Sequence, residues 1–231
     1  RKINSIPHLL EPFPLRPGEE FTIGSGFIIN EGRQVVTNRH VVEKGNTFYV
    51  RNGIGELRKA RVLRTGTVDD LAILTFEEPF SPTSALALDA SGGVRTGQKA
   101  IVIGFPLANI VGEQAPSITN GIVSKDTGLG DDPKTFQLTA KLNKGNSGGP
   151  VLGEDGRLIG IAVGKLDSMK IASEQGHLPE DINIAIKAER LLSFLGHQVG
   201  DGAAVVEIHD LESLYEMMLP RVVMVVSLDR R

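Results

Sequence analysis

The sequence predicts an all-β protein built from two small antiparallel barrels that lie side by side. Many short segments rich in β-branched residues follow one another, and Gly, Asn and Pro bound most of them. A stretch rich in turn residues, at about 78–97, divides these segments into two groups of similar size. Many short strands at nearly regular spacing are typical of barrels and sandwiches. A single large sandwich is therefore the alternative architecture.

The predicted strands fall into these two groups in chain order. The first group is 21–30, 34–37, 47–51, 57–64 and 70–76; the second is 99–104, 118–124, 135–140, 151–152, 158–163 and 182–186. The segment KAERLLSFL at 187–195 predicts a helix.

Five parts of the chain follow from this pattern. They are a proline-rich N-terminal arm (1–20), a first barrel (21–78), an inter-barrel linker (79–97), a second barrel with its closing helix (98–196) and a short α/β tail (197–231). The tail reads as strand, helix and strand: AVVEIHD, LESLYEMML and RVVMVVSL. It either packs onto the barrels or begins a following domain, and its role is left open.

The composition narrows the class of protein. The chain has 231 residues, 40% of them hydrophobic, and a formal net charge of -3 at pH 7, which is ordinary for a globular protein. The balanced charge, without a basic helix or arm, indicates no nucleic-acid partner. The absence of cysteine excludes disulfides, a thiolate nucleophile and a cysteine metal site. The longest apolar run, 222–226, is too short to cross a membrane.

A glycine-rich stretch, GNSGGP at 145–150, surrounds Ser147. Each glycine costs about 0.5–1 kcal/mol of backbone freedom. An acyl-transfer serine explains that cost, because glycine lets backbone N–H groups turn inward and stabilise the oxyanion of a tetrahedral intermediate. The stretch predicts an oxyanion hole at Gly145, Asn146 and Ser147, with the amides of Gly145 and Ser147 as donors. A glycine-rich hairpin turn is the alternative.

A serine nucleophile needs a base, and the base needs an acid that orients it. Of five histidines, only His40 stands where an apolar strand ends and a turn begins, in VVTNRHVV. TVDDLAILTF places Asp69 and Asp70 at the start of a strongly apolar strand. Side chains alternate along a strand, so only one of these two acids can face the histidine.

The motifs TNRHVV, DDLAIL and GNSGGP, in this order, resemble those of the trypsin-like serine proteases and especially of their bacterial HtrA (Deg) branch. The resemblance extends to GSGFII, SITNGIVS, GRLIGIAVG and INIAI, and covers residues 20–195 approximately. Three motifs that agree in order, spacing and strand context make it specific.

The resemblance implies a double six-stranded antiparallel β-barrel with a C-terminal helix and the active site in the cleft between the barrels. It implies that Ser147 is the nucleophile, His40 the general base and acid, and Asp70 the orienting acid. Asp70 is preferred to Asp69 because the family's acid directly precedes an L-A or I-A pair. This chemistry needs no metal and no organic cofactor, and we expect none.

The same resemblance implies where a polypeptide substrate binds. An extended substrate is expected to pair with the strand that contains Ile161, Ala162, Val163 and Gly164, since added strands are held by main-chain hydrogen bonds. Lys141 stands six residues before the serine, at the base of the family's specificity pocket. If its side chain points inward, it favours an acidic substrate residue or narrows the pocket; the alternative is that it points to solvent.

The family also suggests assembly and location. HtrA-like proteases often form trimers through the region before the first barrel, so residues 1–20 suggest a homotrimer. A periplasmic or cell-envelope location is favoured, and the cytoplasm is the alternative. HtrA proteins commonly append PDZ domains, and the tail after 200 is too short for one; we therefore expect a protease domain without PDZ.

Two functions of different class follow. The first is a serine endopeptidase that cuts extended or partly unfolded polypeptides through an acyl-enzyme. The second is a latent or inactive protease-fold module that binds peptides, because trypsin-like folds can be held with a collapsed oxyanion loop. An esterase with the same chemistry is disfavoured, since the chain order His40, Asp70, Ser147 differs from the order Ser, Asp, His of the α/β-hydrolases.

Overall fold

Two closed antiparallel barrels of six strands each make up the fold in the computed structural model of the chain. The structure describes residues 12–16, 18–89, 92–106, 115–164, 183–196 and 210–230. This architecture confirms the predicted double barrel and excludes the single sandwich.

The first barrel consists of β1 (Phe21–Ile29), β2 (Gln34–Thr37), β3 (Thr47–Asn52), β4 (Leu57–Thr65), β5 (Ala72–Thr75) and the last strand of the chain, β12 (Val222–Leu228). The order around it is β1-β12-β3-β4-β5-β2. The second barrel consists of β6 (Lys99–Gly104), β7 (Ser117–Lys125), β8 (Thr135–Leu138), β9 (Pro150–Leu152), β10 (Leu158–Ala162) and β11 (Asn183–Lys187), in the order β10-β11-β8-β7-β6-β9.

Within the described ranges, three helices accompany the strands: α1 (Arg39–Val42), α2 (Ala188–Leu195) and α3 (Leu211–Met218). Short 3₁₀ turns lie at Pro82–Ser84 and Leu129–Asp131. The predicted helix at 187–195 is α2, with Lys187 as its N-cap in an extended conformation. Asp210 caps α3, because its side chain accepts a hydrogen bond from the Ser213 N–H at 2.7 Å.

The tail, whose role the sequence left open, closes the first barrel over residues 222–228. β12 pairs antiparallel with β1 on one side and with β3 on the other, so that Val225 lies opposite Gly24 and Val50. The expected first barrel at 21–78 supplies only five of its six strands. The predicted AVVEIHD strand lies outside the described residues.

The unbroken apolar sequence of β12 has a structural reason. All seven of its residues are buried, because both faces of the strand meet core. Val223 and Val225 belong to the core inside the first barrel. Met224 and Val226 face a second core that also receives Phe27 of the first barrel and Ile103 of the second. A strand buried on both faces is apolar at every position and shows no alternation.

Helix α3 packs beside this shared core. Leu214 and Met218 are fully buried in it. The hydroxyl of Tyr215 donates to the Pro116 carbonyl at 2.7 Å, and burial raises the pKa of this phenol. The C-terminal segment therefore contacts both barrels, since Pro116 precedes β7 of the second.

The two ends of the described chain are held together by Arg230. Its guanidinium donates to both carboxylate oxygens of Glu19, at 2.5 and 3.1 Å, and to the Pro14 carbonyl. The hydrogen bond from Arg230 lowers the pKa of Glu19 to about 2. Bidentate pairs of this kind give geometric specificity as well as energy.

We expect acid to weaken this contact in a defined window. The ordinary pKa of Glu19 is 4.5 and the folded one is about 2, so its contribution to stability is complete above pH 4.5 and disappears as the pH falls towards 2. The melting temperature of Glu19→Gln should depend less on pH across this window than that of the wild type. The exposed Glu20→Gln is the control, and a Glu19→Gln curve parallel to the wild type would contradict the assignment.

Candidate active site

His40 lies at the junction between a strand and a short helix. β2 ends at Thr37, and Asn38 keeps an extended backbone (φ -79, ψ 149) before α1 begins. Val41 and Val42 are buried and anchor α1 in the first barrel, while the side chain of His40 is 41% exposed. The sequence therefore places a half-exposed imidazole on a rigid support.

Asp70 holds His40 at two points. Its Oδ2 lies 2.6 Å from His40 Nδ1, and its Oδ1 accepts the backbone N–H of His40 at 3.0 Å. The Asn38 side chain donates to the Asp70 carbonyl at 2.8 Å. A carboxylate at Nδ1 requires the proton on that nitrogen, which leaves Nε2 free to accept a proton.

The neighbouring Asp69 has a different partner. Arg190 of α2 donates to both of its carboxylate oxygens, at 3.2 and 2.8 Å. The hydrogen bond with Asp69 raises the pKa of Arg190. The two acids of the DD pair are therefore separated, one on the histidine and one on the closing helix.

The loop around Ser147 uses its glycines for close packing. A turn joins the Asn146 N–H to the Asn143 carbonyl at 3.0 Å, with Gly145 at φ 99. Gly148 has φ 88, and a Cβ there would lie 2.2 Å from the Ser25 carbonyl oxygen. A Cβ on Gly149 would lie 2.7 Å from the Ile103 carbonyl oxygen. A glycine-rich hairpin turn is excluded, because the loop joins β8 to β9 and these two strands are not neighbours in the barrel.

The hydroxyl of Ser147 donates to the Val163 carbonyl at 3.0 Å. No hydrogen bond joins it to His40 in the described part of the chain. Val41, the residue after His40, lies close to the backbone of Ser147, since a Cβ on Gly24 would meet both the Val41 side chain (2.6 Å) and the Ser147 carbonyl oxygen (3.2 Å). Rotation about the Cα–Cβ bond of Ser147 moves its hydroxyl between staggered positions, so a contact with His40 requires a side-chain rotation.

The predicted oxyanion donors have different surroundings. The N–H groups of Gly145 and Ser147 have no hydrogen-bond partner among the described residues. The Asn146 N–H is already used in the turn to Asn143. The amides of Gly145 and Ser147 therefore remain candidate donors of the predicted oxyanion hole, and the amide of Asn146 does not.

Two of the four residues predicted to pair with a substrate are already paired within the protein. Ile161 pairs with Pro150 of β9 and with Ile186 of β11. Ala162 likewise exchanges hydrogen bonds with Gly148 and Gly149 on one side and pairs with β11 on the other. An added strand cannot pair with residues that are bonded on both sides, which speaks against Ile161 and Ala162. The Val163 N–H donates to the Ile184 carbonyl at 3.0 Å, and pairing of a substrate with Val163 and Gly164 stays a prediction.

The side chain of Lys141 is exposed, and its carbonyl accepts a hydrogen bond from the Thr119 hydroxyl at 3.1 Å. This favours the alternative in which Lys141 points to solvent, and a role in the specificity pocket stays a prediction.

A groove borders the site between the two barrels. It has a volume of about 310 Å³ and contains Asp70 and Val163 in its wall. Its other apolar lining residues are Val68, Leu129, Ile184 and Ile186. A cavity of about 890 Å³ beside Arg95, Glu154 and Arg157 contains none of the three predicted catalytic residues.

Sequence reasoning missed one residue of the site. Ser25 is fully buried on β1 and donates its hydroxyl to the Gly145 carbonyl. The GSGFII motif that contains it was recognised, but nothing in the local pattern indicates a bond to a residue so far along the chain.

No group of three His, Cys, Asp or Glu side chains in the described ranges could hold a metal ion. Among the described helices, none combines the length and the apolar character that a membrane crossing requires.

Residues 24–161 match the family model of the trypsin-like peptidase domain. Because that match covers more than half of the sequence, the chain belongs to the trypsin-like peptidase family.

Several curated proteins are similar to it. A probable periplasmic serine endoprotease, DegP-like, of Brucella suis is 36% identical over 151 residues, which are 63% of this chain and 28% of that protein. The mitochondrial serine protease HTRA2 of Bos taurus is 35% identical over 182 residues, 74% of this chain and 35% of that protein. The uncharacterized protein y4bJ of Sinorhizobium fredii is 31% identical over 179 residues, 77% of this chain and 28% of that protein. The chain thus spans at most 35% of the length of these three relatives.

Solved structures agree with the family. The serine endoprotease from Yersinia pestis aligns with a TM-score of 0.61 and 25% identity, over 80% of this chain and 58% of that one. The HtrA-type protease AlgW with decapeptide aligns with a TM-score of 0.60 and 27% identity, over 74% of this chain and 50% of that one. These similarities confirm the HtrA-like resemblance and the trypsin-like fold, and the described residues contain no PDZ domain.

Proposed function

We propose that this protein is a serine endopeptidase that hydrolyses extended or partly unfolded polypeptides through Ser147, His40 and Asp70. The observation that carries the proposal is the two-point contact between Asp70 and His40, with Nδ1 and Oδ2 2.6 Å apart. The contact leaves Nε2 as the acceptor, and the N–H groups of Gly145 and Ser147 have no partner among the residues that the structure describes.

The first step acylates the enzyme. His40 Nε2 takes the proton of the Ser147 hydroxyl as Oγ attacks the substrate carbonyl carbon. The carbonyl oxygen becomes an oxyanion, which the N–H groups of Gly145 and Ser147 stabilise. When the C–N bond breaks, His40 gives its proton to the leaving amine, and the acyl group remains on Oγ.

The second step repeats this chemistry with water. His40 removes a proton from a water molecule, whose oxygen attacks the acyl carbon, and the new oxyanion uses the same two amides. Collapse expels Oγ, which takes the proton back from His40. Asp70 stabilises the imidazolium that forms in each step and is not itself protonated.

The groove supports a preference for extended chains. Val163 lies in the wall of this groove, and Val68, Leu129 and Ile184 offer apolar contacts. An extended peptide gains affinity from main-chain hydrogen bonds, and the apolar wall selects its side chains. Folded proteins do not expose such segments, which is why we propose unfolded ones as substrates.

A latent peptide-binding module is the second candidate, and one observation favours it. The Ser147 hydroxyl donates to Val163 rather than to His40. Apo structures of active enzymes often have loose catalytic hydrogen bonds, so this contact alone does not outweigh the Asp70–His40 geometry.

Hydrolysis of an unfolded protein tests the proposal. Purified wild type should degrade a reduced, unfolded polypeptide, and Ser147→Ala should lower the rate by about 10⁶-fold, the loss measured for a comparable nucleophile. Fragment patterns on gels and in mass spectra provide the measurement. Binding of the polypeptide without cleavage by the wild type would favour the latent module.

Location and assembly are proposals of the same kind. The DegP-like relative is named as periplasmic, which supports a periplasmic or cell-envelope location. Trimerisation through residues 1–20 remains a prediction, because residues 1–11 lie outside the described part of the chain. The described residues Pro14 and Glu19 contact Arg230 of the same chain.

A further inference from the structure

Ser25 joins four parts of the molecule that are distant in sequence. Its N–H donates to the Ser147 carbonyl at 2.8 Å, and its hydroxyl donates to the Gly145 carbonyl at 2.6 Å. The same hydroxyl accepts the Phe105 N–H at 2.9 Å, and the Ser25 carbonyl accepts the Thr37 hydroxyl at 2.7 Å. One buried residue of the first barrel therefore holds the serine loop, the end of β6 and the strand that leads to His40.

The bond to Gly145 acts on one peptide plane. A peptide unit is planar, so the Gly145 carbonyl and the Asn146 N–H move together. Ser25 binds the carbonyl end of this unit and Asn143 binds its N–H end at 3.0 Å. The unit is thereby fixed at both ends.

This fixed unit lies between the two proposed oxyanion donors. The Gly145 N–H belongs to the preceding peptide unit and the Ser147 N–H to the following one. Gly145 has φ 99, and glycine has wide backbone freedom, so the donors would turn independently if the unit between them were released. Fixing it sets the direction of one donor relative to the other.

No other group can take the place of the Ser25 hydroxyl, because the site is buried and filled. Ser25 is 0% exposed, and its partners Gly145 and Phe105 are buried as well. A Cβ on Gly104 would lie 2.7 Å from the Ser25 hydroxyl oxygen, so the space is already filled. Removal of the hydroxyl leaves the Gly145 carbonyl and the Phe105 N–H without partners in a buried site, a costly state that the loop relieves by moving.

We propose that Ser25 is a positioning residue for the oxyanion hole, whose hydroxyl aims the Gly145 and Ser147 N–H groups at one point. The inference rests on the proposed peptidase function. Ser25 touches neither substrate nor reacting atoms and acts through Gly145.

The test compares Ser25→Ala with Ser227→Ala, which removes a buried hydroxyl (4% exposed) from β12 of the same barrel. Loss of one oxyanion donor costs about 10²–10³-fold in rate. Misdirection of the donors should lower kcat about 10–10²-fold, by the same reasoning, with KM nearly unchanged. Ser227→Ala should keep the wild-type kcat.

A second readout separates positioning from a general structural effect. A peptide boronic acid forms a tetrahedral adduct on the serine and places an oxygen in the oxyanion hole. Its inhibition constant should rise in Ser25→Ala by about the factor that kcat/KM falls. The affinity of the product peptide that carries the new amino terminus, which places no oxygen in the hole, should stay at the wild-type value. Ser25→Cys, similar in size and a weaker donor, replaces the alanine variant if that one does not fold.

The outcomes are distinct. If Ser25→Ala folds and keeps the wild-type kcat and boronate affinity, the Ser25 proposal is overturned while the peptidase proposal stands. An equal loss of product-peptide affinity would also overturn it, since that is general distortion. A wild type that neither cleaves peptides nor binds the boronate overturns the peptidase proposal and, with it, the inference that rests on it.

Discussion

Asp70→Asn is expected to lower kcat by about 10⁴-fold, as it does in the well-studied triad, while the barrels remain folded. An amide side chain can present its N–H₂ group to His40 Nδ1, and the imidazole then carries its proton on Nε2. In that tautomer it cannot accept the proton of Ser147. Turnover of a chromogenic peptide by the purified variant, with its circular dichroism spectrum compared to the wild type, measures this effect.

Asp69→Asn is the matched control, because it makes the same chemical change at the adjacent residue. Asp69 binds Arg190 through both carboxylate oxygens and does not contact His40. We expect some loss of stability and a far smaller loss of kcat than for Asp70→Asn. Equal losses in the two variants, or a larger one at Asp69, would show that the orienting acid is wrongly assigned.

Val225→Asp is expected to destabilise the whole first barrel. Val225 is fully buried on β12, between Gly24 of β1 and Val50 of β3. A carboxylate there has no described cation beside it, and burial of an unpaired charge is among the most costly single changes, at about 4 kcal/mol or more. For a chain of this size, each kcal/mol lowers the melting temperature by about 2–4 °C, which gives a fall of about 8–16 °C.

Leu211→Asp provides the control within the same segment. Leu211 begins α3 and is 41% exposed, and an acid in the first turn of a helix is favourable. Its effect should stay within about 0.5 kcal/mol. Thermal unfolding followed by circular dichroism measures both variants. A Val225→Asp protein that melts with the wild type would mean that β12 does not close the barrel in solution.

Loss of β12 should also disturb the loop that contains Ser147. Ser25 lies opposite Met224 of β12 in the β1–β12 register, and Ser25 holds the loop of Ser147 through two hydrogen bonds. Through its pairing with Ser25, β12 therefore helps to hold the loop that forms the proposed oxyanion hole.

The sequence predicted what local chemistry determines. Short strands bounded by turn residues gave the two barrels, and the surroundings of His40 and Ser147 distinguished them from other histidines and serines. The local sequence did not show which of Asp69 and Asp70 faces the histidine. The family resemblance indicated Asp70, and Asp70 contacts His40 in the structure.

Contacts between segments distant along the chain could not be predicted from the sequence. The apolar run 222–226 is compatible with any buried strand, and nothing in it specifies pairing with β1 and β3. The resemblance implied that Ile161 and Ala162 pair with a substrate. The sequence pattern does not indicate that both residues are already bonded to neighbouring segments on each side. Ser25 was overlooked for the same reason, since its hydroxyl partner Gly145 lies 120 residues away.

Covalent labelling tests the central claim, the activation of Ser147 by His40, most directly. The wild type is incubated with a fluorophosphonate, digested and analysed by mass spectrometry. We predict an adduct on the fragment that contains Ser147, and its loss in His40→Ala. A folded wild type that carries the adduct on another residue, or labelling of Ser147 that is unchanged in His40→Ala, would contradict the account.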